Sequence, residues 1–241
     1  GKTILITGSS SGIGAATARL AKEYGATVIL HGRTESEKLK TLAKDLACEY
    51  IFCDVGNKEE VTREMRKLAE RKIKIQCLAN VAGAVTGKNF IDTTDDDWIY
   101  FYKTNVLGVV HMCQEVIPMM QSEKYGRIVN IGSVRAYPQG TLASRLPYSA
   151  SKAAVLNITV ALAKEYAKDG ITINSISPGG INTEIAKSWD EATLKRNSDV
   201  LLGRIGEPNE IAEAICFFLS YKASYATGQD FVIDGGYLIG K

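Results

Sequence analysis

Seven short apolar segments recur along the chain, separated by stretches that contain polar residues and glycines. They occupy residues 3–7, 27–31, 50–53, 75–79, 127–132, 171–177 and 230–234. Helix-length pieces lie between the first six, which predicts parallel strands joined by crossover helices. Because the segments are apolar almost throughout, we expect both faces of the sheet to be covered.

Helix start signals support this division. Asn57 with Glu60, and Thr94 with Asp97, have the spacing of N-terminal caps. No linker, repeat or change in composition interrupts residues 1–241. The sequence therefore predicts one α/β domain of the doubly wound Rossmann type, with a parallel seven-stranded sheet and helices on both faces.

Composition and charge narrow the classes of partner. The chain has 241 residues, 45% of them hydrophobic, and a formal net charge of +2. No basic stripe favours nucleic acid, and no apolar run reaches membrane-spanning length. The five cysteines form no C-x-x-C pair and the two histidines stand in no metal-binding motif. We therefore expect reduced thiols, no metal site, no nucleic-acid or membrane partner and a cytoplasmic location.

The first predicted strand runs into a glycine-rich turn, I-T-G-S-S-S-G-I-G at residues 6–14. Ligands of doubly wound sheets bind beyond the carboxyl ends of the strands, where a helix N-terminus offers free amide donors to an anion. Gly8, Gly12 and Gly14 leave room for phosphate oxygens to approach the backbone. Their spacing is G-x-x-x-G-x-G rather than G-x-G-x-x-G, so the turn alone is a weak indication of a nucleotide site.

The end of the second predicted strand indicates which nucleotide binds. An acidic residue there typically holds a ribose 2′-hydroxyl, whereas a basic residue accommodates a 2′-phosphate. The chain has His31-Gly32-Arg33-Thr34, with no acid before Glu35. We therefore expect NADP(H) rather than NAD(H), with Arg33 at the phosphate. An arginine on a solvated loop is the alternative interpretation.

Motifs after the successive strands resemble the short-chain dehydrogenase/reductase family over nearly the whole chain. They are T-G-x-x-x-G-I-G at 7–14, N-V-A-G at 80–83, Asn105, Ser133, Y-S-A-S-K at 148–152, P-G-x-x-x-T at 178–183 and V-I-D-G-G at 232–236. The resemblance implies an NAD(P)-dependent oxidoreductase that transfers a hydride between a nicotinamide and a carbonyl or secondary alcohol.

The expected cofactor site combines the glycine turn, the residues after the second and third strands, and the family motifs. Asp54 would accept from the adenine amino group or cap the following helix, and the amide of Asn80 would support the site or join neighbouring strands. The full set is Gly8, Ser10, Ser11, Gly12, Ile13, Gly14, Arg33, Thr34, Asp54, Val55, Asn80, Ala82, Gly83, Tyr148, Lys152, Pro178, Gly179, Ile181 and Thr183.

Tyr148 and Lys152 are expected to share one face of a helix that Pro147 can begin. A phenol with a pKa of about 10 is a poor proton-transfer group at neutral pH. A cation ~4 Å away is worth about 4 kcal/mol at an effective dielectric of 20, which favours the phenolate. In the family's mechanism Tyr148 exchanges the proton and Ser133 hydrogen-bonds the reacting oxygen. Lys152 lowers the tyrosine pKa and binds the nicotinamide ribose, and Asn105 holds a relay water.

Two segments are expected to shape the substrate pocket, and neither identifies the substrate. Residues 183–205 are interpreted as a mobile lid. Trp189 and Tyr137 are candidates for an apolar wall, whereas Arg135 and Arg145 would meet a carboxylate, a phosphate or solvent.

The C-terminal sequence resembles bacterial 3-oxoacyl-carrier-protein reductases, and sugar and steroid dehydrogenases share it. A 3-oxoacyl thioester is one candidate substrate, and a sugar or polyol is the alternative within the class. A non-catalytic NADP(H)-sensing regulator is the alternative from another class. The chain contains no G-x-S-x-G elbow and no complete P-loop.

Two further expectations concern assembly and a repeated motif. The family implies a homotetramer or dimer, formed through helices at about 95–121 and 147–168. The second Y-x-x-x-K sequence, Y-L-I-G-K at 237–241, is interpreted as chance because it lacks a preceding serine and room for a helix.

Overall fold

All seven expected strands are present and form one parallel sheet. The structure is a computed structural model that describes residues 1–240, so Lys241 of the Y-L-I-G-K sequence lies outside the described residues. The strand order is β3-β2-β1-β4-β5-β6-β7, which confirms the doubly wound Rossmann prediction. The strands are β1 (Thr3–Ile6), β2 (Thr27–Gly32), β3 (Glu49–Phe52), β4 (Cys77–Asn80), β5 (Gly126–Ile131), β6 (Ile171–Pro178) and β7 (Asp230–Ile233).

Helices make the connections between the strands. They are α1 (Gly12–Glu23), α2 (Glu37–Asp45), α3 (Lys58–Glu70), α4 (Asp95–Phe101), α5 (Gly108–Glu123), α6 (Leu146–Tyr166), α7 (Glu191–Ser198) and α8 (Pro208–Leu219). In the described part of the chain, none of them is both long enough and apolar enough to cross a membrane.

Both faces of the sheet are buried, as the apolar segments predicted. On β1, Ile4 and Ile6 pack into a core with side chains of α1, α2 and α8. Leu5, between them, packs into a second core with side chains of α3, α5 and α6. Successive side chains of a strand point to opposite faces, so one strand contributes to both cores.

The predicted helix 95–121 is interrupted. Its first part is α4, its second part is α5, and the six residues Tyr102–Leu107 between them form a π-helical turn. A π-helical turn shifts the side chains relative to a regular helix and often occurs at functional sites. Asn105 lies within this turn and is fully buried.

The two predicted helix caps are confirmed. The Asn57 side chain accepts from the Glu60 amide at the start of α3. The side chains of Thr94 and Asp97 form a reciprocal capping box at the start of α4. These short-range hydrogen bonds fix where the two helices begin.

The chain order reverses beside β1, which pairs with both β2 and β4. In doubly wound sheets a crevice opens at such a point, outside the carboxyl ends of the strands. The glycine turn and the N-V-A-G motif follow β1 and β4, so the fold brings them to this crevice.

Candidate active site

A cavity of about 440 Å³ lies at the carboxyl ends of the central strands. It collects most of the residues that the sequence predicted for the site. Those that line it are Gly8, Ser10, Ser11, Gly12, Ile13, Gly14, Arg33, Asp54, Val55, Ala82, Gly83, Ser133, Tyr148, Pro178, Gly179, Ile181 and Thr183. The predicted residues Thr34, Asn80, Asn105 and Lys152 do not line it.

The glycine turn forms a cradle that side chains would fill. Gly8 has a φ of 66°, and a Cβ there would lie 2.8 Å from the Ala82 Cα. A Cβ at Gly14 would lie 2.3 Å from the Gly8 carbonyl oxygen. Ser11 precedes α1 without making a capping hydrogen bond, so the first amides of the helix have no side-chain acceptor there. An anion is the natural acceptor for such donors.

His31 supports this cradle, a role that sequence reasoning missed. Its Nδ1 lies 3.2 Å from the Gly8 amide, and its Nε2 lies 3.1 Å from the Cys53 carbonyl oxygen. Burial lowers the pKa of His31 to about 4, so the ring is neutral at pH 7, with Nδ1 accepting and Nε2 donating. The one available signal was a histidine at the end of the second strand, where a dinucleotide site was already expected.

The adenosine end of the cavity carries Arg33 without an opposing acid. Arg33 is exposed and, within residues 1–240, its guanidinium has no ion-pair or hydrogen-bond partner. The nearest acid in sequence, Glu35, accepts from the Tyr50 hydroxyl at 2.9 Å and lies 3.6 Å from the Lys40 ammonium. Glu35 is therefore already engaged, and Arg33 remains available to an anionic ligand.

Asp54 lines the cavity but does not cap α3, which excludes one of its two expected roles. Its Oδ1 accepts from the Gly56 amide at 2.8 Å, and Asn57 is the residue that caps the helix. Within residues 1–240 the second carboxylate oxygen makes no hydrogen bond, so it could accept from an adenine amino group.

Tyr148 lies in the first turn of α6 and faces the cavity beside Ser133. The Ser133 hydroxyl accepts from the Arg135 amide at 3.1 Å, and its proximity to the Tyr148 phenol lowers the pKa of that phenol. The ring of Phe101 packs edge-on against the Tyr148 ring, with centroids 6.3 Å apart. A serine hydroxyl and a phenol thus meet at one point of the cavity wall.

Burial and neighbouring charges act on Tyr148 in opposite directions. Burial raises the pKa of Tyr148, while the Ser133 hydroxyl and the positive charges of Arg145 and Arg135 lower it. The Lys152 ammonium donates to the Ile131 carbonyl at 2.7 Å and lies 6.0 Å from the Tyr148 ring centroid. Two arginines therefore add to the positive charge that the sequence expected from Lys152, and the effect of Lys152 on the tyrosine pKa stays a prediction.

Lys152 is 5% exposed, and burial lowers its pKa to about 8. Desolvation disfavours the ammonium, and no carboxylate is among the groups that shift its pKa. A ligand that offers hydrogen-bond acceptors to this ammonium would stabilise its charged form.

The side chain of Asn105 is fully engaged. Its Oδ1 accepts from the Ala84 amide at 2.8 Å, and its Nδ2 donates to the Ala84 carbonyl and to the Ser151 hydroxyl. These bonds tie the π-helical turn to the loop after β4 and to α6. Both amide hydrogens are used, so this side chain could only accept from a relay water through Oδ1.

Asn80 joins neighbouring strands, which is one of the two roles expected for its side-chain amide. Its Nδ2 donates to the Asn130 Oδ1 at 2.9 Å, and the Asn130 amide donates in turn to Thr159 at 2.9 Å. The bond connects β4 to β5 and the chain of bonds reaches α6, so Asn80 fixes the strands beneath the cavity.

The far wall is formed by residues of the expected lid and by the turn after Ser133. Trp189 lines the cavity, as expected. Tyr137 does not line it, because its hydroxyl donates to Asp230 at 2.5 Å; its assignment to the apolar wall is wrong. Arg135 is buried and its guanidinium donates to the Gly140 carbonyl at 2.7 Å.

Comparison with known proteins agrees with this geometry. A sequence profile described as enoyl-(acyl carrier protein) reductase matches residues 8–238. The chain belongs to the short-chain dehydrogenase/reductase family. It is 35% identical over 245 residues to the 3-oxoacyl-[acyl-carrier-protein] reductase of Vibrio harveyi, a match that covers 98% of this chain and 97% of that protein. The corresponding protein of Thermotoga maritima is 34% identical, with 99% and 98% covered.

A solved structure of the same fold contains a nucleotide. The gluconate 5-dehydrogenase from Burkholderia cenocepacia, in complex with NADP and tartrate, matches with a TM-score of 0.94 and 30% identity. The match covers 100% of this chain and 96% of that chain. Membership of this family makes the protein an oxidoreductase that acts on CH–OH or C=O groups with a nicotinamide cofactor. The side-chain-free cradle and the free amides of α1 fit the pyrophosphate of such a cofactor.

Proposed function

We propose that the protein is an NADP(H)-dependent oxidoreductase that interconverts a carbonyl and a secondary alcohol, with Tyr148 exchanging the proton. The observation that carries this proposal is the Tyr148 phenol in the cavity, beside the Ser133 hydroxyl and the positive charges of Arg145 and Arg135. A neutral tyrosine is a poor acid at pH 7. Burial raises the pKa of Tyr148 further, and the neighbouring hydroxyl and guanidiniums oppose that rise.

Four residues have separate proposed roles in this reaction. When bound, the nicotinamide cofactor supplies or accepts the hydride. Tyr148 gives its proton to the carbonyl oxygen during reduction, and Ser133 donates a hydrogen bond to the same oxygen as negative charge develops on it. Lys152 would hold the nicotinamide ribose, because its buried ammonium has one protein acceptor and further hydrogens to donate. Asn105 holds the loop after β4 and α6 in register around these groups.

The preference for NADP(H) follows from the adenosine end of the cavity. Arg33 has no partner within residues 1–240, and Glu35 is held by Tyr50 and Lys40. A 2′-phosphate would meet a free guanidinium, whereas a 2′-hydroxyl would find no free carboxylate directly after β2. Thr34, although outside the cavity lining, follows Arg33 and remains part of the proposed phosphate loop.

Two substrate classes remain for this site. The curated relatives reduce 3-oxoacyl thioesters according to their names, and the Burkholderia cenocepacia structure is named for a sugar acid. A 3-oxoacyl thioester and a polyol or sugar acid are therefore both proposed as candidates. Residues 183–205 are proposed as the lid that closes over either of them.

The test is turnover by the purified protein against matched carbonyl compounds. We expect NADPH oxidation with at least one ketone, a faster rate with NADPH than with NADH, and a loss of turnover in Tyr148→Phe. Binding of NADPH without reduction of any carbonyl in a panel of thioesters, sugars and simple ketones, unchanged in Tyr148→Phe, would instead support a regulator that senses the cofactor.

A further inference from the structure

Arg145 places a half-buried guanidinium on the cavity wall. It directly precedes α6, three residues before Tyr148, and lines the same cavity. Within residues 1–240 its side chain makes no ion pair, no hydrogen bond and no helix-capping bond. Burying a guanidinium without acceptors costs free energy, so a cation retained in this position requires an explanation.

Arg135, the other arginine beside Tyr148, is fully engaged by contrast. Besides the Gly140 carbonyl, its guanidinium donates to the Tyr237 hydroxyl at 2.6 Å and to the Asn197 Oδ1 at 3.3 Å. These bonds tie the turn after Ser133 to α7 and to the C-terminal segment. Arg135 therefore contributes charge and holds these segments in position, whereas the donors of Arg145 are free among the described residues.

The charges around Arg145 favour an anion. Burial and the nearby guanidiniums of Arg135 and Arg196 lower the pKa of Arg145. Both Arg135 and Arg145 also lower the pKa of Tyr148, and no carboxylate of the described residues is among the groups that shift it. Positive charge is thus concentrated where the reacting oxygen would lie.

We propose that Arg145 binds a carboxylate carried by the substrate, so that the enzyme prefers small oxo acids and hydroxy acids over neutral ketones and alcohols. The proposal rests on the function proposed above, since it assigns the substrate class of the same site. A guanidinium has a planar fork of donors that matches a carboxylate in a bidentate pair. Because Arg145 and Tyr148 line the same cavity, a carboxylate bound by Arg145 would lie on the same wall as the reacting carbon.

This geometry favours a free acid over a thioester. In a thioester the acyl carboxylate has been replaced by a neutral group, and its carbonyl oxygen gives Arg145 a single uncharged acceptor. Hydrogen bonds to charged groups contribute more than neutral ones, and the difference corresponds to about 10- to 100-fold in binding. Arg145 would therefore determine specificity, and Tyr148 with Ser133 would act on either substrate.

The experiment compares oxo acids with their methyl esters, which differ by one charge. Pyruvate, acetoacetate and 4-oxopentanoate are each paired with the methyl ester, and NADPH oxidation is followed for the wild type, Arg145→Gln and Arg145→Lys. Arg66→Gln is the matched control, because Arg66 is an exposed residue of α3 outside the cavity lining. Malonate, which carries no reducible ketone, serves as a binding probe through the thermal unfolding midpoint of the NADP⁺ complex.

The expected result is a kcat/KM at least about 10-fold higher for one acid than for its ester, mainly through KM. Arg145→Gln should remove that preference and the stabilisation by malonate, Arg145→Lys should keep part of both, and Arg66→Gln should keep both. Equal use of acid and ester by the wild type, or a preference that survives in Arg145→Gln, would overturn the proposal. Reduction of the esters alone would overturn this inference and leave the proposed function standing, whereas failure to reduce any ketone would remove the proposed function itself.

Discussion

At the scale of single residues, burial disfavours the charged forms of both Tyr148 and Lys152. The pKa of Tyr148 is raised, and the pKa of Lys152 is lowered to about 8. The two groups share a helix, yet the ammonium bonds to the Ile131 carbonyl and not to the phenol. A ligand that contacts both groups would change their pKa values, because it adds hydrogen-bond acceptors for the ammonium and a proton acceptor for the phenol.

The buried ammonium predicts a pH dependence of stability. Between pH 8 and 10.5 the unfolded chain keeps a proton on Lys152 that the folded chain has released. The free energy of unfolding should therefore rise with pH in this window relative to Lys152→Met, by up to about 1.4 kcal/mol per pH unit. Urea unfolding of both proteins from pH 7 to 10 measures this difference. A constant difference across the range would show that Lys152 is not desolvated.

The free guanidinium of Arg33 predicts the cofactor preference. Arg33→Ala should raise the KM for NADPH by about 10-fold or more and leave the KM for NADH nearly unchanged, because only the 2′-phosphate needs the charge. Steady-state kinetics with both cofactors measure the ratio, and Arg66→Ala serves as control. Equal use of NADPH and NADH by the wild type would contradict the assignment of Arg33.

At the scale of elements, the close packing at Gly14 predicts that an added methyl group has different effects at the two ends of α1. At the N-terminal end it should weaken NADPH binding, and beyond the C-terminal end it should lower only stability. Gly14→Ala adds a Cβ that would lie 2.3 Å from the Gly8 carbonyl oxygen, so the cradle must distort and NADPH affinity should fall by at least about 10-fold. Gly25→Ala, at the other end, meets no atom within 4 Å but has a φ of 79°. It should lower stability by about 1 kcal/mol and keep the NADPH affinity. Fluorescence titration with NADPH and urea unfolding separate the two effects, and unchanged affinity in Gly14→Ala would contradict the cradle.

The elements also show what the sequence could predict. The seven strands and the caps at Asn57 and Thr94 follow from local patterns, because periodicity and side-chain capping depend on neighbouring residues. The glycine turn and Arg33 follow from their places after β1 and β2, and most of the remaining cavity lining follows from the family resemblance. The π-helical turn and the bonds of Asn105 and Arg135 depend on residues distant in sequence. Arg135 bonds to Tyr237, 102 positions away, and no local pattern carries that information.

At the scale of the whole molecule, the segments that the family resemblance assigned to assembly carry exposed apolar side chains. Ile99 on α4 is 48% exposed, Tyr102 in the π-helical turn is 53% exposed, and Val160 on α6 is 39% exposed. Exposed apolar groups favour association when they form one patch. We expect a homotetramer or dimer in light scattering, and Ile99→Glu should shift it toward the monomer.

The control for that shift is Tyr24→Lys, which adds a charge at another exposed ring. Tyr24 directly follows α1, a helix that packs into the core on the other face of the sheet from α6. This substitution should leave the oligomeric state unchanged. A monomeric wild type, or an Ile99→Glu protein that assembles as the wild type does, would contradict the assignment of this surface.

In the proposed reaction the Tyr148 phenol carries the proton, and removal of its hydroxyl group is the most direct test. Tyr148→Phe should lower kcat by about 100-fold or more while NADPH affinity and the unfolding midpoint stay close to the wild type. Tyr166→Phe makes the same change at the other end of α6 and should retain full activity. Wild-type turnover in Tyr148→Phe, measured with the best ketone of the panel, would contradict the account.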